Sequence, residues 1–249
     1  MRLRSLLPIV LWCLPAVACA GDLVVSAAAS LTDAFQAVGT AYEARHPGTH
    51  VVFNFAASDV LLQQIDNGAP VDVFASADEK AMDRAVAATL VDPPTRNDFA
   101  SNALVLIVPA DSRLPIAGPA DLRDGAVRRV AFGDPASVPA GRYTRAALER
   151  LGLWDVVSAK SVLAENVRQG LDYVSRGEVE AGFVFATDAT IAKGRVKVVA
   201  TVPTPAPIRY PLAVVNGAAH GAEARAFEAF VLSTDGAAIL RRFGFGPPR

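Results

Sequence analysis

Short β-rich runs alternate with helix-patterned segments along almost the whole chain, and this alternation narrows the possible folds most. Leu23–Ser26, Val51–Phe55 and Val71–Ala75 read as strands. Each is followed by a helical pattern: from Ser30 to about Arg45 with Leu31, Phe35 and Val38 on one face, from Ser58 to Gly68, and from Asp78 to about Ala88. The second half repeats the theme without repeating the sequence. Strands are expected at Leu104–Val108, Val130–Phe132, Ser161–Leu163, Ala181–Phe185, Val196–Val199 and Leu212–Val215. Helices are expected from Pro139, from Glu165-Asn166-Val167, after Thr187 or Asp188, and over Glu223–Leu232 and Gly236–Phe243. Such alternation predicts an α/β protein with mostly parallel sheets flanked by helices.

The first twenty residues stand outside this pattern. Arg2 and Arg4 precede an apolar run, Leu6–Val17, broken by Pro8 and Pro15 and followed by Ala18-Cys19-Ala20. This reads as a secretory signal peptide, residues 1–20, and so as an exported protein. A lipid anchor at Cys19 is the lesser alternative. The run is too short to cross a bilayer, and no other apolar stretch is long enough. Removing 20 of the 249 residues leaves 229, with 22 basic against 25 acidic side chains. That balance speaks against a nucleic-acid surface. Both cysteines, Cys13 and Cys19, leave with the signal, and the three histidines show no ligand spacing, so neither thiolate nor zinc chemistry is expected.

The chemistry is expected at the strand-to-helix junctions. Ser30, Ser58, Ala140, Val167 and Thr187 all fall at expected helix starts. In an open α/β sheet these junctions gather at the carboxyl edge, where ligands bind. Each helix start carries unpaired N–H groups and roughly half a positive charge, so three or four of them offset a dianion without any Lys or Arg. Ala27-Ala28-Ala29 before Ser30 and Ala56-Ala57 before Ser58 let an anion approach the backbone. The plain alternative is that the serines are caps, with Ser30 and Asp33 forming a capping-box variant, and that Asp33, Asp59, Asp78 and Asp188 are first-turn acids. Arg142 and Arg168, near two helix starts, are either anion ligands or solvated surface charges.

Several longer motifs carry a family resemblance. Ala27-Ala28-Ala29-Ser30-Leu31-Thr32-Asp33-Ala34, Phe55-Ala56-Ala57-Ser58, Gly68-Ala69-Pro70-Val71-Asp72-Val73-Phe74-Ala75-Ser76-Ala77-Asp78, Gly133-Asp134-Pro135 with Val138-Pro139-Ala140-Gly141-Arg142-Tyr143, and Arg241-Arg242-Phe243-Gly244-Phe245 resemble motifs of periplasmic molybdate-binding proteins of ABC transporters. The resemblance covers nearly all of 22–245. It implies a two-lobed, Venus-flytrap, type II-like fold, with lobe one at 21–102 plus 210–249 and lobe two at 103–209. It implies a monomer, without cofactor or catalytic activity, that binds molybdate or tungstate and feeds an ABC permease. The implied ligand positions are the hydroxyls of Ser30 and Ser58 and the backbone N–H groups of Ala140 and Val167. These contact the oxyanion, not the metal directly. The family's tyrosine hydroxyl falls on Phe185, in Gly182-Phe183-Val184-Phe185, so that donor is missing and Tyr143, Tyr173 and Thr187 are candidate replacements.

Donors alone suit a fully deprotonated dianion such as molybdate, tungstate or sulfate. Monohydrogen phosphate brings a proton that needs an acceptor. Sulfate is the nearest alternative ligand, since cavity size rather than donor type separates it from molybdate. A serine hydrolase lacks support, because neither serine stands in a G-x-S-x-G elbow. The dispersed tyrosines Tyr42, Tyr143, Tyr173 and Tyr210 suggest no ferric site, whereas Arg142 with Asp188 leaves an amino-acid binder open.

Overall fold

The computed structural model describes residues 21–248. The signal peptide and the Cys19 anchor lie outside the described residues. In the first half of the chain, β1 (Asp22–Ala28), α1 (Thr32–Glu43), β2 (His50–Ala56), α2 (Ser58–Asp66), β3 (Val73–Ala75), α3 (Glu79–Ala87), β4 (Asn97–Asn102) and β5 (Leu104–Pro109) follow in order. Then come β6 (Val130–Gly133), α4 (Pro139–Arg150), α5 (Trp154–Ser158), β7 (Ser161–Ala164), α6 (Val167–Ser175), β8 (Ala181–Phe185), α7 (Ala186–Ile191) and β9 (Val196–Val202). The chain ends with β10 (Ile208–Val214), α8 (Gly221–Leu232) and α9 (Thr234–Arg242).

These strands form two five-stranded sheets, in the orders β2-β1-β3-β10-β4 and β7-β6-β8-β5-β9. Both are mixed. In the first, β1 runs parallel to β2 and β3, while β10 runs antiparallel to β3 and β4. In the second, β6 runs parallel to β7 and β8, while β5 runs antiparallel to β8 and β9. Parallel pairings therefore equal antiparallel ones instead of outnumbering them. The reason is the strands next to the crossings: β4 hands over to β5 and β9 to β10, and these four enter their sheets without a βαβ crossover.

The helices bury one face against the sheets. In α1 and the turn before it, Leu31, Phe35, Val38 and Tyr42 recur at helical spacing and are fully buried. Phe35 meets Phe53, Phe99 and Phe227, tying α1 to β2, β4 and α8. Burying a side chain of this size stabilises the fold by about 1.5–3 kcal/mol. The start of α4 lies unusually close to the end of β6: a Cβ on Gly141 would collide with the Gly133 carbonyl oxygen. Glycine at both positions lets the first turn of α4 sit on the sheet edge. The sequence pattern missed β4 and α5. Asn97–Asn102 is too polar to stand out, and five residues are too few for a helical period.

Candidate functional site

The carboxyl ends of β1 and β2 in the first sheet, and of β6, β7 and β8 in the second, deliver Ser30, Ser58, Ala140, Val167 and Phe185 to one cavity between the sheets. Ala28, Ala29, Ala56, Ala57, Ala77, Val138, Pro139 and Asn166 complete the lining of this narrow cavity. Small side chains thus leave backbone at the wall. Among the described residues no Lys, Arg, Asp or Glu lines it. Larger grooves exist, such as one of about 350 Å³ by Asp72 and His220, but that one opens at the opposite, amino edge of the first sheet.

Four helical segments start at this cavity: the 3-10 turn Ala29–Leu31 that runs into α1, then α2, α4 and α6. Val167 is the first residue of α6. Ala140 is the second of α4, after Pro139, which has no N–H to leave unpaired. First-turn N–H groups have no acceptor within the helix, so they are available to an anion. The Asn166 side chain is already committed, its oxygen accepting from Arg168 N and Gln169 N at 3.0 and 3.1 Å.

Neither serine caps its helix. The residue before α1 is Leu31, in helical conformation, and the turn is held by Thr32 Oγ1 donating to the Ala29 carbonyl at 2.7 Å. Ser30, 2% exposed, instead places Oγ 3.0 Å from Tyr210 Oη. Ser58 is the first residue of α2, and its Oγ accepts the Ala77 N–H at 3.0 Å. At α7 neither Thr187 nor Asp188 is the cap residue; Phe185 is, and Asp188 Oδ2 accepts its N–H at 3.2 Å. Asp78 does cap α3, accepting from Ala81 N at 3.1 Å.

Arg142 and Arg168 are neither solvated charges nor cavity ligands. Arg142 reaches from α4 to Asp78, at 2.7–2.8 Å, and to Asp59, at 2.6 Å. Arg168 reaches from α6 to Asp33, at 2.7 Å, and to Asp188, at 2.6 Å. Asp59 also pairs with Arg84. The acids near the helix starts are therefore arginine partners, which consumes the Arg142 and Asp188 of an amino-acid site. Burial pushes the Asp78 carboxyl upward, opposed by Arg142. Fully buried Asp188 is pushed up to about 6 by desolvation, which outweighs the pull of Arg168.

Phe185 is 1% exposed and lines the cavity, with the rings of Tyr143 and Tyr210 packed edge-on at 6.3 and 5.8 Å. Among the described residues no tyrosine lines the cavity. Tyr210 and Asn102, which the sequence reading passed over as site residues, stand directly behind Ser30. Only their places at the two chain crossings hinted at them.

Two mixed sheets with a donor-lined cavity between them define a two-lobed binding protein. The chain belongs to the bacterial extracellular solute-binding protein family, whose profile matches residues 23–246. It is 41% identical to the molybdate-binding protein ModA of Escherichia coli strain K12, over 92% of this chain and 91% of that protein. Among solved structures it is similar to the substrate-binding domain of a molybdenum ABC transporter from Clostridium difficile, with 36% identity, a TM-score of 0.70, and coverage of 92% and 99% of the two chains. It is also similar to the periplasmic molybdate-binding protein of Azotobacter vinelandii, with 25% identity, a TM-score of 0.79, and coverage of 91% and 100%.

Proposed function

We propose that this chain binds molybdate, and tungstate with it, outside the cytoplasm and hands it to the permease of an ABC importer. One observation carries the reading: Ser30, Ser58 and four helix starts from two lobes meet at a cavity that no charged side chain among the described residues lines. Such a wall answers a dianion with donors and partial positive charge alone. The ligand donors are the Ser30 and Ser58 hydroxyls and the N–H groups of Ala140 and Val167, with Phe185 as an apolar wall. They contact oxygens of the anion and leave the metal's own coordination intact. Neither serine has a histidine among its hydrogen-bond partners, which favours binding over hydrolysis.

The protein works as an exported monomer, released after residue 20, in the periplasm. Lobe one is 21–102 with 210–249, and lobe two is 103–209. Only the closed arrangement presents both sets of donors, so the ligand favours closure. Calorimetric titration of the purified protein with molybdate, tungstate, sulfate and phosphate tests the reading. Molybdate and tungstate are expected to bind tightly, sulfate more weakly and phosphate least. Tight sulfate binding with weak molybdate binding would reassign the site to sulfate. Solution scattering should show a smaller radius of gyration with molybdate, and identical curves would refute closure.

A further inference from the structure

Ser30 is useful to an anion only if its proton points at the ligand. A hydroxyl has one proton and two lone pairs, and its partners decide which it offers. Ser30 Oγ lies 3.0 Å from Tyr210 Oη, and from that contact alone either oxygen could donate. The other partners of the tyrosine narrow the choice. Asn102 Oδ1 accepts the Ala103 N–H at 2.9 Å, which fixes the amide so that Nδ2 faces the other way. Nδ2, which only donates, lies 3.1 Å from Tyr210 Oη and 2.9 Å from Thr187 Oγ1. The tyrosine oxygen therefore accepts from Asn102, and because Ser30 Oγ is the one other hydrogen-bond partner of this buried hydroxyl among the described residues, the tyrosine proton is satisfied only by donating to Ser30 Oγ. Having accepted that proton, Ser30 turns its own toward the cavity it lines.

We infer that Tyr210 and Asn102 are positioning residues that hold the Ser30 hydroxyl as a hydrogen-bond donor to the bound oxyanion, through the directed chain Asn102 to Tyr210 to Ser30. The inference deepens the molybdate-binding reading and rests on it. Tyr210 is fully buried between Phe99, Phe185 and Phe245, so the phenol has little freedom to turn elsewhere. Desolvation holds its ionisation well above the ordinary value, so the phenol keeps its proton at every working pH. Hydrogen bonds aligned in one direction polarise one another, which strengthens the last donor. The backbone supports the placement. The ladder between β10 and β4 shifts register between Tyr210 and Pro211, where proline has no N–H to give. Asn102 ends β4 at one crossing between the sheets and Tyr210 follows the other, so both crossings bear on one ligand donor. Ser58 is set in the same sense by a single step, since its Oγ accepts the Ala77 N–H.

The test is a double-mutant cycle read by molybdate calorimetry on the mature protein: parent, Tyr210→Phe, Ser30→Ala and the double variant. Tyr210→Phe keeps the ring and removes only the hydroxyl. It should weaken molybdate binding roughly 3- to 10-fold, the size of one ordinary hydrogen bond, and should cost nothing further once Ser30 is alanine. Asn102→Leu should show a loss of the same sign that likewise vanishes with Ser30→Ala, which covers the case in which Tyr210→Phe does not fold. Equal losses with and without the Ser30 hydroxyl would mean that Tyr210 acts through packing, and unchanged affinity would mean that Ser30 needs no orienting; either result overturns the inference and leaves the molybdate reading standing. A folded parent that binds no molybdate overturns both.

Discussion

Arg142, on α4 beside the second sheet, grips Asp78, with Nε and Nη2 at 2.8 and 2.7 Å from the same carboxylate oxygen. Asp78 caps a helix of the other lobe. Arg168 makes the matching contact to Asp33, beside Ser30, while Arg142 also reaches Asp59, beside Ser58. Two arginines on helices of the second sheet thus clasp carboxylates on helices of the first, Asp59 following Ser58 and Asp33 three residues after Ser30. Their charges are paired with carboxylates, Arg168 with Asp188 of its own half as well, and neither side chain lines the cavity.

Cutting one clasp should therefore loosen the closed form without touching the cavity wall. Arg142→Met is expected to weaken molybdate binding by roughly 10- to 150-fold, the worth of a charge-assisted hydrogen bond. The loss should appear chiefly in the dissociation rate, with a larger radius of gyration at saturating ligand. The Arg142 side chain is only 13% exposed, so added salt should mimic the variant only weakly. Stopped-flow release and scattering check this, and an unchanged dissociation rate would remove the clasp from the account.

Ser30→Ala and Ser58→Ala should each weaken molybdate binding by roughly 10- to 150-fold, because each deletes a donor to a charged group. The two should differ in stability. Ser58 accepts the buried Ala77 N–H, so its removal also orphans a backbone donor and should lower unfolding free energy by about 1–3 kcal/mol. Denaturant titration alongside calorimetry separates the two effects. Variants that bind as tightly as the parent would take the hydroxyls out of the site.

Phe185→Tyr adds a hydroxyl to a ring that already lines the cavity. If it reaches an anion oxygen, binding should tighten by up to about 1.5–3 kcal/mol. The ranking of molybdate over sulfate should stay, since cavity size sets it. Titration of this variant with both anions is the measurement, and unchanged or weaker molybdate affinity would mean that the ring's far edge does not face the ligand.

Asp188 should leave a mark on the pH dependence of stability. Its folded-state value of about 6 lies above the ordinary 3.8, so folding favours the protonated form. The stability this contributes is fully present below about pH 4 and is lost as pH rises through 6. The loss is on the order of 3 kcal/mol, from about two units at 1.36 kcal/mol each. Asp188→Asn cannot titrate. The parent's stability relative to this variant should therefore fall across pH 4 to 6 and stay level above it. A flat difference would show that Arg168 fully compensates the buried carboxylate.

The sequence by itself determined the alternation of strands and helices, the junctions where a ligand would sit, and the residues at them. Those features are local. Period-two and helical runs, alanines before Ser30 and Ser58, and Pro139-Ala140 all act within a few residues of themselves. Tertiary structure alone decided what the polar side chains at those junctions do. A serine at a helix start looks like a cap, yet Tyr210, 180 positions away, claims Ser30, and Ala77 claims Ser58. Arg142 and Arg168 look like surface charges until the second sheet brings them against Asp78, 64 positions back, and Asp33, 135 back. Asn102 and Tyr210 carry no motif, and they matter because the two chain crossings place them side by side. Direction in a hydrogen-bond network depends on every member at once, and those members meet only after the sheets have formed.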